Sequence, residues 1–126
     1  MVFMKRFLAL LLLPLLISGC STITNLTPYQ LTRNANGLYT FEVAWKSRQQ
    51  SLRPETLKAF VNIGTELYPM EPVPLVANRW ETLVPIPANQ RNLTYRFKFE
   101  YDYYAMPVSQ HDSRLSEPYK LNITDK

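Results

Sequence analysis

The sequence is poor in the residues on which most small catalytic and cofactor sites depend. It contains one cysteine, Cys20, one histidine, His111, and three glycines in 126 residues. A single cysteine cannot form an internal disulfide, and one histidine without clustered carboxylates gives no metal-ligand spacing. Three glycines are too few for a glycine-rich phosphate loop. We therefore expect no metal and no cofactor.

The sequence also lacks a large excess of charge of one sign. Fourteen Lys and Arg residues stand against ten Asp and Glu residues, which gives a formal net charge of +4. Two of the basic residues, Lys5 and Arg6, belong to the N-terminal leader described below, and without them 12 basic residues face 10 acidic ones, a surplus of +2. Such a small surplus gives no reason to expect a nucleic-acid partner.

The first nineteen residues have the pattern of an export signal. The basic pair Lys5 and Arg6 is followed by an apolar run from Phe7 to Ile17 that only Pro14 interrupts. This run is shorter than the roughly 20 residues that a transmembrane helix needs. We therefore predict that residues 1–19 are a leader and not a permanent membrane span.

The apolar run ends in a short motif with the sequence Leu16-Ile17-Ser18-Gly19-Cys20. This motif resembles the lipobox of bacterial lipoproteins, in which an aliphatic residue and two small residues precede the cysteine before which the signal peptidase cuts. The resemblance implies a diacylglycerol on the sulfur of Cys20 and an acylated amino group, and two or more acyl chains hold a protein stably on a membrane. It places the protein in the cell envelope. Ser21, where inner-membrane lipoproteins tend to carry aspartate, favours the outer membrane if the cell is Gram-negative.

After Cys20 the apolar residues follow a period of two, and no helical period is present. The clearest example is residues 93–103, where aromatic or aliphatic residues alternate with polar ones without a break. Such alternation predicts strands with one buried face. We predict strands at residues 38–46, 57–63, 79–86, 93–103 and 119–123, and leave a short strand at 29–33 open.

This pattern predicts an all-β fold, a single antiparallel immunoglobulin-like β-sandwich after the leader and a short tether. Residues 86–95 resemble the corner before the penultimate long strand of immunoglobulin and fibronectin type III domains, and the resemblance implies that the Tyr95 hydroxyl bonds to backbone upstream. The cysteine pair of antibody domains is absent. We expect a leader at 1–19, a lipidated N-terminus and tether at 20–36, and the sandwich at 37–126.

The proline-rich segment 68–87 is the candidate interaction surface. Its five prolines remove backbone donors, which argues against central strands. Two interpretations stay open: a connection between the sheets, or a preordered surface on which a protein partner docks. The candidate binding residues of the second interpretation are Tyr68, Met70, Val73, Leu75 and Trp80.

Catalysis has little support in the sequence. His111 lies beside Asp112 and near Ser109 in what we expect to be a polar loop, and no nucleophile turn accompanies them. We predict a membrane-anchored envelope lipoprotein with a non-catalytic interaction or structural module, attached to the membrane through Cys20 and bound to an envelope protein. The alternative is a carbohydrate-binding or glycan-processing accessory in which aromatic residues stack on sugars, with three candidates: Phe60, Trp80 and Tyr104.

Overall fold

The computed structural model of the chain describes residues 22–47 and 51–125. The predicted leader and Cys20 lie outside these residues. The described part forms strands and one 3-10 turn, Pro54–Thr56. The strands are β1 (Thr22–Asn25), β2 (Gln30–Thr32), β3 (Leu38–Lys46), β4 (Lys58–Ile63), β5 (Glu66–Pro72), β6 (Arg79–Pro85), β7 (Asn92–Tyr103), β8 (Gln110–Leu115) and β9 (Tyr119–Thr124). The prediction of an all-β fold is confirmed.

The strands form two sheets joined by one strand that belongs to both. Their hydrogen-bonded order is β1-β3-β6-β5-β4-β7-β9-β2, and β8 pairs with β7 beside β9. Strand β5 pairs with β4 over residues 66–70 and with β6 over residues 71–72, so it passes from one sheet to the other. The pairings are antiparallel except for β2 with β9. The fold is an immunoglobulin-like β-sandwich, as predicted, and the strand order is a finding of the structure.

The core lies between the sheets and consists largely of aromatic side chains. On β3 and β7 every second side chain is buried, which confirms the period of two predicted for these strands. Phe41 and Tyr95 make an edge-to-face contact between the sheets at 4.8 Å, and Trp45 stacks on Phe99 at 4.7 Å. The buried aromatic residues are Tyr39, Phe41, Trp45, Trp80, Tyr95, Phe97, Phe99 and Tyr101.

The structure corrects the expectation of a tether over residues 20–36. From Thr22 onward the chain is part of the sandwich: β1 pairs with β3, and β2 pairs with β9. Thr27, between these strands, is buried; its hydroxyl donates to the Glu42 carbonyl at 3.1 Å and accepts from the Glu42 N–H at 2.9 Å. Thr-rich sequence has enough strand propensity to pair when a neighbouring edge is available.

The structure also corrects the expectation for the proline-rich segment, which contains strands β5 and β6. Strand β5 has a partner on only one side along most of its length, since β4 covers its first part and β6 its last two residues. Prolines are tolerated at such edges, and Pro69 and Pro72 lie there. The segment does cross between the sheets, but as a strand.

Two smaller expectations change as well. The segment around His111 is strand β8, whose six residues are all exposed and which is held by its ladder to β7. The Tyr95 hydroxyl accepts a hydrogen bond from the side-chain amide of Asn25, 2.8 Å away on β1, and the backbone bond that the resemblance implied is replaced by this contact. Tyr95 therefore ties β7 to the first strand of the domain.

Candidate functional site

The residues predicted to form a docking surface do not share one surface. Met70 and Trp80 are 7% and 8% exposed and belong to the core, where Trp80 makes an edge-to-face contact with Phe99 at 5.3 Å. Tyr68 packs against the same core. Val73 is half-buried, and only Leu75 is fully exposed.

Leu75 occupies an unusual place in the connection between β5 and β6. The Val76 N–H bonds to the Val73 carbonyl at 3.3 Å, Pro74 is the second residue of this turn, and Leu75 has a φ of 63°. This is the pattern of a type II turn, whose third position favours glycine or asparagine. A leucine there costs about 1–2 kcal/mol, and burial does not offset it because the side chain lies in solvent.

Several loops lie at one end of the sandwich, which we call the loop end. It comprises the turn 73–78, the hairpin loop 104–109 between β7 and β8, and the start of β1. The registers place them together: Thr22 pairs with Lys46 at the end of β3, and the Trp45 N–H bonds to the Asn78 carbonyl at 3.0 Å. Strand β5 ends here, beside the start of β6. Because β5 is antiparallel to β4, and β4 to β7, the start of β4 and the end of β7 lie at the same end of the sandwich.

The loop end carries most of the strongly exposed apolar side chains. Nine large apolar residues of the described chain are exposed, and five of them lie in its two loops. These five are Leu75, Val76, Tyr104, Met106 and Val108. A concentration of this kind is typical of a surface that contacts another molecule or a membrane.

Arg53 fastens the hairpin loop to the 3-10 turn. Its guanidinium lies 3.0 Å from Glu55, donates to Ser109 at 3.3 Å and sits 5.2 Å from the ring centre of Tyr104. The hydrogen bond to Glu55 raises the pKa of Arg53, and the pKa of Glu55 is lowered first by a backbone hydrogen bond and then by Arg53. The polar contacts at this end therefore position the loop and leave its apolar side chains in solvent.

The only histidine, His111, also lies near the loop end. It contacts an aspartate, but no serine hydroxyl is hydrogen-bonded to it in the described residues. His111 Nδ1 lies 2.9 Å from Asp102 Oδ1, and the Ser109 hydroxyl receives its hydrogen bond from Arg53 instead. Within residues 22–47 and 51–125 no hydrogen bond joins Ser109 to His111. The same residues contain no cluster of three His, Cys, Asp or Glu side chains that could hold a metal ion.

A surface groove lies at the opposite end of the sandwich. It has a volume of about 720 Å³ and is lined by residues from the start of β7, from β9, from the turn after β4 and by Tyr29. The Tyr29 ring at its rim is 76% exposed, and the Asn122 N–H bonds to the Tyr29 carbonyl at 2.8 Å. The polar side chains that line the groove are Gln90, Asn92, Thr94, Lys120 and Asn122.

The three aromatic residues expected to stack on sugars lie in different parts of the sandwich. Trp80 is buried, Phe60 is half-buried on the outer side of β4, and Tyr104 is exposed at the loop end beneath Arg53. They form no common platform.

Comparison with known proteins identifies no family for this chain. No protein-family model matches the chain, and no curated protein matches it either. Among solved structures, murine CRIg is similar at a TM-score of 0.41 and 10% sequence identity, with 83% of this chain and 98% of that chain covered. In the described part of the chain, no helix is long and apolar enough to cross a membrane.

Sequence reasoning missed Met106, Val108 and Tyr29 as surface features. Each lies next to a proline, Met106 and Val108 outside the predicted strands and Tyr29 at the start of the short strand left open at 29–33. An apolar or aromatic residue beside a proline at or beyond a strand end was the available signal.

Proposed function

We propose that this protein is a lipid-anchored lipoprotein of the bacterial cell envelope, whose immunoglobulin-like sandwich is a non-catalytic interaction or structural module. The observation that carries the proposal is the position of β1. Its first residue, Thr22, is already paired with Lys46, and the lipobox cysteine precedes it by two residues. An extended chain spans at most about 3.6 Å per residue. Acylation of Cys20 would therefore hold the sandwich directly at a membrane surface.

The end of the sandwich away from β1's first residue is the one available to a partner in the envelope. There the groove beside Tyr29 combines an exposed ring with the Lys120 ammonium and several amide side chains. An aromatic anchor surrounded by polar groups is typical of protein-binding surfaces. We propose an envelope protein as the partner at this groove.

Glycan binding is the second candidate, and the same groove favours it. Sugars bind where a ring can stack on them while amide groups bond to their hydroxyls, and Tyr29 lines this groove together with Gln90, Asn92 and Asn122. This candidate uses residues other than the three aromatics considered from the sequence.

The anchor is tested with Cys20→Ser, with Ser21→Ala as the matched control. We expect Cys20→Ser to abolish metabolic labelling with a fatty-acid analogue and to leave a larger precursor, while Ser21→Ala is labelled and processed normally. Processing and membrane fractionation of Cys20→Ser at the level of the control would contradict the proposal.

The partner is tested with a photoreactive side chain at Lys120 in the groove. The control carries the same group at Lys58, at the end of β4 that is away from the groove. We expect protein cross-links from position 120 that Tyr29→Ala abolishes. Retention of the intact protein on envelope polysaccharide, lost with Tyr29→Ala and without protein cross-links, would favour the glycan candidate instead.

A further inference from the structure

The apolar side chains at the loop end lie where the chain would enter the membrane. Leu75 and Met106 are fully exposed and lie in the two different loops of this end. Thr22 starts β1 at this end, beside Lys46. The start of β1, two residues after the lipobox cysteine in sequence, therefore lies at the same end of the sandwich as the apolar loop tips.

We propose that the loop end inserts its apolar tips into the lipid surface to which Cys20 is attached. The inference rests on the proposed function, because it requires acylation of Cys20. The sandwich then stands on the membrane with its strands pointing away from it. The groove beside Tyr29 faces the envelope space.

The short connection to the anchor leaves little room between the loop end and the lipid. Two residues of extended chain from Cys20 to Thr22 cover at most about 7 Å. The headgroup layer of one leaflet is itself about 5–7 Å thick, from the difference between the whole bilayer and its hydrocarbon core. Loops at the same end as Thr22 then lie within reach of the headgroup layer.

The chemistry of the loop tips fits a lipid surface. Leucine, valine and methionine side chains partition into the boundary between headgroups and acyl chains, and tyrosine prefers the same region. The turn keeps Leu75 at a position where glycine or asparagine would be easier to accommodate, and presents its side chain to the outside. The strained backbone at Leu75 exposes an apolar side chain without any gain for the fold, which indicates a role outside the fold.

The charges at this end indicate which lipid is needed. Among the described residues of this end, Lys46, Arg53 and Lys58 are accompanied by Glu55, Glu71 and Asp102, and Arg53 is paired with Glu55 at 3.0 Å. A mixed surface of this kind gives no strong attraction to anionic lipid. The insertion should therefore occur on phosphatidylcholine, whose headgroup has no net charge, and be insensitive to salt.

The test uses the full acylated protein in phosphatidylcholine vesicles. Acylation blocks the only cysteine, so a new cysteine is a unique labelling position. An environment-sensitive fluorophore is placed at Leu75→Cys or Met106→Cys, with Leu83→Cys, 57% exposed on β6, as the matched control. We expect blue-shifted emission and quenching by lipids brominated on their acyl chains at the two loop positions, and neither effect at position 83.

A second variant separates insertion from folding. Leu75→Asn suits the turn and removes the apolar tip, and combined with Met106→Ser it should sharply reduce the quenching of a fluorophore at Val108→Cys. Full insertion of one leucine-sized side chain is worth about tenfold or more in partition. The melting temperature of the combined variant should stay close to that of the parent.

The outcomes distinguish the inference from the proposed function. If the protein is acylated and bound to vesicles but positions 75 and 106 are as accessible as position 83, the inference is overturned and the anchor stands. If Cys20 is not acylated, both are overturned. Shielding that appears only in native membranes, with cross-links to a protein, would show a protein interface and overturn lipid insertion.

Discussion

Replacement of Phe99 by alanine tests the sandwich most directly, because this ring joins the two sheets. Phe99 lies on β7, is fully buried, stacks on Trp45 of β3 at 4.7 Å and meets Trp80 of β6 edge-on at 5.3 Å. Deletion of a buried phenylalanine side chain costs about 3–5 kcal/mol. Each aromatic pair adds about 0.5–1.5 kcal/mol beyond the buried area. We therefore expect Phe99→Ala to lie near the upper end, about 4–5 kcal/mol.

That loss is large for a domain of this size. A small domain has a free energy of unfolding of about 5–15 kcal/mol. Phe99→Ala should thus lower the melting temperature by about 15 °C or more. Urea unfolding of the mature protein, followed by tryptophan fluorescence and circular dichroism, measures the difference.

Two variants serve as controls for Phe99→Ala. Lys98 is the neighbouring residue on the outer face, half-exposed, with its ammonium 3.2 Å from Glu100, and an exposed ion pair is worth about 0–1 kcal/mol. Lys98→Ala should therefore change stability by less than about 1 kcal/mol. Phe99→Leu keeps most of the volume and should cost about 1–2 kcal/mol. Equal losses from Phe99→Ala and Lys98→Ala would refute the period of two on β7 and the core built on it.

Two further predictions concern the first strands of the domain. Thr27→Val keeps the shape of the buried side chain but leaves the Glu42 N–H without its partner, while the Glu42 carbonyl keeps its bond from the Leu26 N–H, so it should cost about 1–3 kcal/mol in urea unfolding, whereas Thr27→Ser should cost less. Burial raises the pKa of Tyr95, against the opposing hydrogen bond from Asn25, so the folded state holds this proton more tightly than the unfolded one. The contribution of Tyr95 to the free energy of unfolding should be fully present below about pH 10 and fall as the pH rises above it. Tyr95→Phe should reduce this alkaline loss in urea midpoints measured from pH 8 to 11. Part of the loss should remain because burial also raises the pKa of Tyr119. An unchanged alkaline loss in Tyr95→Phe would contradict this assignment.

The strands predicted from the sequence are those whose inner face is apolar at every second position. β3 and β7 bury such faces against each other, so the period of two is both a sequence signal and the cause of the packing. β8 has no buried residue at all. Its ladder to β7 is made of backbone groups, which any sequence supplies, so side-chain alternation gave no indication of it.

The proline-rich segment shows the limit of local rules for single residues. Proline argues against a central strand because it lacks a backbone donor, but whether that donor is needed depends on which neighbour lies beside it. In β5 the neighbour changes from β4 to β6 at residue 71, which makes an internal strand behave as an edge. Met70 and Trp80 then point into the core, although the sequence placed them with Leu75 on one surface.

The early start of the sandwich determines which end of it a lipid anchor would hold. A tether of the length expected from the sequence, about a dozen flexible residues, has a root-mean-square span of about 20 Å and would leave the domain free to turn. With β1 paired from Thr22, the direction of that one strand decides the orientation instead: the chain enters at the loop end, runs along β3 from Lys46 to Val43, and reaches Thr27 at the level of Glu42. A lipid anchor on Cys20 would then turn the apolar loops toward the lipid and the groove away from it, because the backbone hydrogen bonds of β1 fix which end of the sandwich follows the anchor.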